Sequence, residues 1–155
     1  MNTYLTFKLG NELFAVPVTH VLEVLQKQQV THVPKTPDHI LGIINFRGDI
    51  LPVIDTRRKF SLSVSDVDEK QIVIVFDMNT ETEKHTIAAT ADAVKDVIEI
   101  KDEEIKPVPE LGLSYDARFV IGAVRRDETF ILLLDIEKVF SSSDLAVVNS
   151  LEINN

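Results

Sequence analysis

The sequence predicts a mainly-β protein made of two packed copies of a small five-stranded barrel, and three observations carry that reading. Short stretches rich in Val and Ile repeat with a period of two, the pattern of strands that turn one face inward. Helix signals are few and short. A glycine, an aspartate and a phenylalanine also recur at one constant spacing along the 155 residues. That length suits one domain, or two small subdomains with a shared interface.

Along the chain, Tyr4–Leu9 alternates, Gly10-Asn11-Glu12 supplies a turn, and Leu13–Val16 runs back as a hairpin. Further strands are expected at Val21–Leu25, Ile43–Phe46, Ile50–Ile54, Ile72–Asp77, Thr86–Thr90, Val94–Ile100, Val120–Val124 and Phe130–Leu134. Single helical turns are expected at Thr36–Leu41, Thr56–Phe60 and Ile136–Phe140. Ser143 or Asp144 can cap a short helix running to Leu151. Pro52 lacks a donor, which places its strand at an edge or a barrel corner.

The repeat is specific. Gly42 to Asp55 (GIINFRGDILPVID) matches Gly122 to Asp135 (GAVRRDETFILLLD), and Phe60 matches Phe140, all at an offset of 80. Val21–Leu25 echoes Val94–Ile98, and Val33-Pro34 echoes Val108-Pro109, at slightly smaller offsets. Two copies are too few for a solenoid. Five short strands per copy instead close into a barrel, which removes exposed edges. Each half is close to the lower size limit for independent stability, so the halves must pack together. One domain, 1–141, is expected, with subdomains at roughly 12–65 and 70–140 and an N-terminal strand that can join either. Ser61–Lys70 is the polar joint, and 142–155 forms a short helix and tail.

Composition excludes several function classes. A net charge of −9 and a pI near 4.8 oppose nucleic acid and anionic membrane surfaces, both of which need clustered Lys and Arg. No apolar run reaches the roughly 18 residues of a spanning helix, and Met1-Asn2-Thr3 leads straight into a strand pattern without a signal peptide. With no cysteine there is neither a disulfide framework nor a thiolate metal site. His20, His32, His39 and His85 are scattered without metal-ligand spacing, so no metal and no cofactor are expected. Asp66, Asp68 and Glu69, like Asp102-Glu103-Glu104, lack calcium-loop spacing and read as solvated turns. The dispersed glycines form no phosphate loop, and Ser141–Ser143 has no nucleophile elbow. Asp55 and Asp135 are a formal carboxylate dyad for a hydrolase, but their equivalent places ahead of helical turns suit capping better.

Positions that differ between the copies are the candidates for function. The first copy carries Asn45-Phe46-Arg47-Gly48-Asp49 where the second has Arg125-Arg126-Asp127-Glu128-Thr129. Strand alternation puts Asn45 and Arg47 on one face, and Gly48 can take a positive φ behind them. A guanidinium held this way suits a partner's carboxylate or carbonyl groups. Alternatively, Arg47 pairs with Asp49 or Asp55 and only closes the hairpin.

These residues resemble a known family. Gly42, Asn45, Arg47, Gly48, Pro52, Val53 and Asp55 are similar to the signature of CheW, the coupling protein of bacterial chemotaxis. Phe14-Ala15-Val16, Val21-x-Glu23-Val24, Val30 to Pro37 and Ile105 to Pro109 fit the same family, so the resemblance covers residues 4–140. It implies two pseudo-symmetric five-stranded SH3-like β-barrels with short helices, no catalytic residues and no cofactor. It also implies a cytoplasmic, non-enzymatic adaptor without direct membrane or nucleic-acid contact. Its partners would be the helical hairpin tips of chemoreceptors and the regulatory domain of the histidine kinase CheA. The receptor-facing residues implied are Val21, Glu23, Gly42, Asn45, Arg47 and Val97; those facing the kinase are Ile105, Lys106 and Leu111. A twitching or other non-flagellar chemosensory pathway is the alternative setting.

Overall fold

The computed structural model describes residues 2–60, 72–78, 85–108 and 117–140. The strands in chain order are β1 (Asn2–Leu9), β2 (Glu12–Pro17), β3 (Val21–Leu25), β4 (Ile40–Phe46), β5 (Asp49–Ile54), β6 (Ile72–Asp77), β7 (Thr86–Ala91), β8 (Ala93–Ile100), β9 (Val120–Arg126) and β10 (Thr129–Leu134). One helical turn, α1 (Thr56–Lys59), follows β5, and another, α2 (Ile136–Val139), follows β10. The side chain of Asp55 accepts from Arg58 N at 3.4 Å, and that of Asp135 accepts from Glu137 N at 3.1 Å, so each aspartate caps its turn.

The strands form two five-stranded sheets, ordered β8-β1-β2-β10-β9 and β3-β6-β7-β5-β4. Read in those orders, both sheets pair antiparallel, antiparallel, parallel, antiparallel. The two therefore correspond strand for strand: β8 to β3, β1 to β6, β2 to β7, β10 to β5 and β9 to β4. Even the irregularities match. The register slips between Val21 and Glu23 on β3, and opposite Lys95 on β8; it slips again at Leu41 on β4 and at Ile121 on β9.

A division at residues 65–70 does not separate these sheets. β1 and β2 belong with β8, β9 and β10, while β6 and β7 complete the sheet begun by β3. The physical reason is that the inner strands are apolar on both faces, so alternation alone names no partner. Within β10, Ile131 and Leu133 enter a core enclosed by their own sheet together with Ala15, Ile100 and Val124. Leu132 and Leu134 enter a second, larger core shared between the sheets. In the other sheet, Val73, Val75, Ala88, Val53 and Ile44 fill the enclosed core, while Ile74, Phe76, Ile87 and Ile54 face the shared one. Aromatic rings interlock across the shared core. Phe60, after α1, lies 5.6 Å from Phe14 of the opposite sheet, and Phe140, after α2, lies 5.4 Å from Phe76.

A buried ion pair pins the same joint. Arg57 Nη2 lies 2.7 Å from Asp92 Oδ2, with the two side chains only 8% and 14% exposed. That oxygen also accepts from Gly10 N in the β1–β2 turn at 2.6 Å, and Asp92 N donates to Lys8 O at 2.9 Å. One carboxylate thus ties α1 of one sheet to the first hairpin of the other.

Two expectations need correction. Thr36–Leu41 forms no helical turn: Ile40 N donates to Pro37 O at 2.9 Å in a tight turn, and Ile40 already begins β4. Pro52 lies on an inner strand, between β7 and β4. It is tolerated because the β5–β7 ladder holds only Val53 and Ile54, so Pro52 lies beyond its end. The joint Ser61–Lys70 and the helix expected within 142–155 lie outside the described residues.

Removing one member of a buried pair strands the other. Asp92→Ala is expected to cost about 3–5 kcal/mol in urea denaturation. Loss of an exposed pair costs within about 1 kcal/mol, so Arg47→Ala serves as the comparison. Equal costs for the two variants would contradict the joint's dependence on this contact.

Candidate protein-interaction surface

The two divergent hairpins share one backbone geometry. Phe46 pairs with Asp49, leaving Arg47 and Gly48 as a two-residue turn with φ of 52° and 89°. Arg126 pairs with Thr129, leaving Asp127 and Glu128 with φ of 50° and 69°. Turns with both central residues left-handed match the twist of paired strands, which makes each tip tight and rigid. Arg47 therefore stands in the turn rather than on the strand, and alternation does not govern its direction. Asn45 Oδ1 accepts from Gly48 N at 3.1 Å and braces the turn from below.

Arg47 Nη2 lies 3.0 Å from Glu23 Oε2, and its guanidinium carbon lies 4.8 Å from the centre of the Phe46 ring. The pair joins the β4–β5 tip to β3, at the other end of the sheet order. It replaces the local partners considered from sequence: Asp55 instead contacts Arg58, at 3.4 Å. The Arg47 side chain is 69% exposed and that of Glu23 38%, so both remain available to a partner while each orients the other. The same strands also carry exposed apolar side chains, Leu22 and Val24 on β3 and Leu41 at the β4 bulge.

The other expected residues divide by role. Val21 is half-buried and packs against the shared core. Gly42 is buried, and a Cβ there would come within 2.2 Å of Thr31 O, because Thr31 and Ile43 exchange backbone hydrogen bonds directly above it. Gly42 is thus required by close backbone approach. Val97 lies on β8 of the opposite sheet, 56% exposed. The structure therefore joins Glu23, Asn45 and Arg47 into one rim, sets Val21 against the shared core and Gly42 beneath Thr31, and places Val97 on the other module.

Ile105 and Lys106 form the counterpart of Val30 and Thr31. Lys106 exchanges backbone hydrogen bonds with Ala123 at 2.9 and 2.8 Å, and a Cβ on Gly122 would come within 2.7 Å of Ile105 Cγ2. Ile105 packs on the core of its sheet, while Lys106 presents an exposed side chain. Leu111 lies outside the described residues. Asp55 and Asp135, the formal dyad, are occupied as helix caps at the ends of different sheets.

Sequence reasoning passed over Arg57, Asp92 and the Arg126–Glu104 pair. Arg126 Nη2 lies 3.0 Å from Glu104 Oε2 and 2.8 Å from Glu99 O. Glu104 also accepts from Lys101 N at 3.0 Å. That backbone bond, with the Arg126 charge, holds its carboxyl below the usual glutamate range. No group of ligating side chains suited to a metal ion occurs among the described residues. Nor is any helix among them long and apolar enough to cross a membrane.

Comparison with known proteins extends the picture. The CheW-like domain family model matches residues 3–144. A protein of Klebsiella aerogenes named chemotaxis protein CheW is 35% identical over 147 residues, covering 95% of this chain and 86% of that one. The Bacillus subtilis protein of the same name is 31% identical, covering 92% and 90%. Protein FrzA of Myxococcus xanthus is 29% identical, covering 90% and 86%. Among solved structures, the scaffolding protein TtCheW of Thermoanaerobacter tengcongensis superposes with a TM-score of 0.79 at 28% identity, covering 92% and 90% of the two chains.

Gly42→Ala is expected to lower stability by about 1–3 kcal/mol, the usual cost of overpacking, and thermal unfolding reads it. An unchanged melting temperature would mean that the Thr31 strand can move aside. Glu104 is expected to titrate below an ordinary glutamate when its carboxyl is followed by NMR. Because the folded value is depressed, its stabilising contribution is present above the ordinary glutamate value and is lost as pH falls through the depressed one. Arg126→Ala should raise that midpoint only in part, since the Lys101 bond, the larger cause, survives.

Proposed function

The chain belongs to the CheW family, and on that footing we propose that it is a chemotaxis adaptor. It couples chemoreceptors to the histidine kinase CheA by holding both in fixed relative geometry. The observation that carries the reading is Arg47: an exposed guanidinium on a rigid two-residue turn, oriented by Glu23 and present in one module where the other has Asp127.

The receptor contact uses the rim of Glu23, Asn45 and Arg47 together with Val97, with Val21 and Gly42 fixing its backbone. A helical hairpin tip offers an apolar stripe and flanking polar groups, which such a rim can match with aliphatic side chains and a guanidinium. The kinase contact uses the barrel end at Lys106 with Ile105 beneath it, continuing through Leu111 to CheA's regulatory domain. The protein acts without catalysis and without a cofactor, in the cytoplasm, and it reaches the membrane-bound receptor array only through its partners. Two modest contacts on one rigid body become effective in an array because tethering raises local concentration. A receptor state that favours one arrangement then biases the kinase through differential binding.

Arg47→Glu is expected to abolish capture by a receptor cytoplasmic fragment while thermal unfolding stays close to that of the parent, since the side chain is exposed. Undiminished capture by the charge-reversed protein would remove the receptor assignment. Lys106→Glu is expected to weaken binding to CheA's regulatory domain and to spare receptor capture. The reverse pattern would reassign that barrel end.

A further inference from the structure

Ile105 and Lys106 lie on the connection between β8 and β9, and that connection is fastened twice. Lys106 itself exchanges backbone hydrogen bonds with Ala123 of β9, at 2.9 and 2.8 Å, while Ile105 packs over Gly122. Just ahead of them, Asp102–Glu104 makes one tight 3-10 turn. The Glu104 carboxylate accepts from Lys101 N at 3.0 Å, and Glu104 N donates to Lys101 O at 2.9 Å, which closes the turn. Arg126, the last residue of β9, grips the same carboxylate with a fork: Nε donates to Oε2 at 3.1 Å and Nη2 to Oε1 at 3.2 Å. Nη2 also donates to Glu99 O on β8 at 2.8 Å. One guanidinium thus joins β8, the acidic turn and the β9–β10 hairpin.

A turn of three residues has little stability of its own. Its consecutive carboxylates, Asp102, Glu103 and Glu104, also repel one another. An arginine fork supplies the opposing charge and a fixed direction together. The Arg126 and Glu104 side chains remain 37% and 33% exposed, so the pair adds little to global stability. Its effect is local. The β3–β4 module is built otherwise. There Arg47 reaches Glu23 on β3 itself, and within residues 26–29 Gln28 braces its own loop by donating to Gln26 O at 2.9 Å. Among the described residues, the fork from hairpin to connection distinguishes the β8–β9 module.

We propose that Arg126 and Glu104 are positioning residues for the kinase contact, holding the connection so that Lys106 is presented in one place before the partner arrives. The inference rests on the assignment of this barrel end to CheA's regulatory domain. Lys106 is exposed, and its own bonds to Ala123 fix the chain at one point; the fork fixes it on the other side of Ile105. A stretch ordered in advance loses less conformational freedom on binding, and that difference appears as affinity. Arg126 acts here through Glu104 and the turn, not by touching the partner.

The test follows the ¹⁵N-labelled full chain by amide exchange and by capture on CheA's regulatory domain. Arg126→Ala and Glu104→Gln are each expected to speed exchange at Lys101, Glu104 and Ile105 roughly two- to fivefold, with thermal unfolding close to the parent's. Each should weaken capture roughly three- to tenfold, as loss of prior ordering implies. The double variant should be no weaker than either single one, because both remove the same contact. Unchanged exchange, additive losses, or a loss with Arg126→Ala that Glu104→Gln does not share would each overturn the proposal, the last by making Arg126 a direct contact. Faster exchange with capture reduced only by Lys106→Glu would overturn it and leave the kinase assignment standing. Faster exchange with capture indifferent to Lys106→Glu as well would overturn that assignment, and the positioning role with it.

Discussion

Each sheet is apolar on both faces, and only one of those faces can be buried by curling the sheet on itself. The other, carrying Phe14, Leu132 and Leu134 on one side and Ile74, Phe76 and Ile87 on the other, must find cover outside. The cover available is the equivalent face of the second sheet. This mutual obligation fixes the arrangement of the modules, and the rings of Phe60 and Phe140 and the Arg57–Asp92 pair set its register. An adaptor that transmits geometry needs such a joint, because a hinge between its contact surfaces would dissipate any bias applied to one of them.

Within that frame the duplicated positions separate cleanly into those that build and those that act. Gly42 and Gly122 sit beneath crossing backbones, Asp55 and Asp135 cap helical turns, and Phe60 and Phe140 fill the shared core. All three pairs are the same in both copies. The hairpin tips keep the same left-handed backbone yet exchange Arg47 for Asp127 and Phe46 for Arg126. Turn geometry is therefore a property of the scaffold, while the charge it presents is free to change. One scaffold consequently presents different charged side chains at two equivalent tips.

Most strands were legible in the sequence because β-branched residues alternate over short spans between turn residues. The repeat was legible because glycine and aspartate meet backbone needs that few other residues meet. Sheet membership was not, since Leu13 and Ala15 on one face of β2 are as apolar as Phe14 and Val16 on the other. The turn at Thr36–Leu41 was misread because Pro37 ahead of apolar residues resembles a helix start, whereas its carbonyl closes a turn into β4. Within the candidate site, Arg47 was visible as a divergence, but its partner Glu23 was not, because only nearby acids were weighed. Arg57 lay hidden among three consecutive basic residues, with its carboxylate 35 positions away.

The exchange of strands between the chain's beginning and its end has a consequence for biosynthesis. On the ribosome, β3 to β7 emerge as one uninterrupted stretch and can assemble as soon as Ala91 is clear of the exit tunnel. The β1–β2 hairpin, although made first, has neither neighbour in its sheet until β8 and β10 follow. The nascent molecule must therefore carry that apolar hairpin, shielded on one side at most by the finished module, until β8 and β10 have been made. Closure of this sheet thus waits on β8 and β10, and a product cut short before β10 would leave the β1–β2 hairpin without its parallel neighbour and open to aggregation.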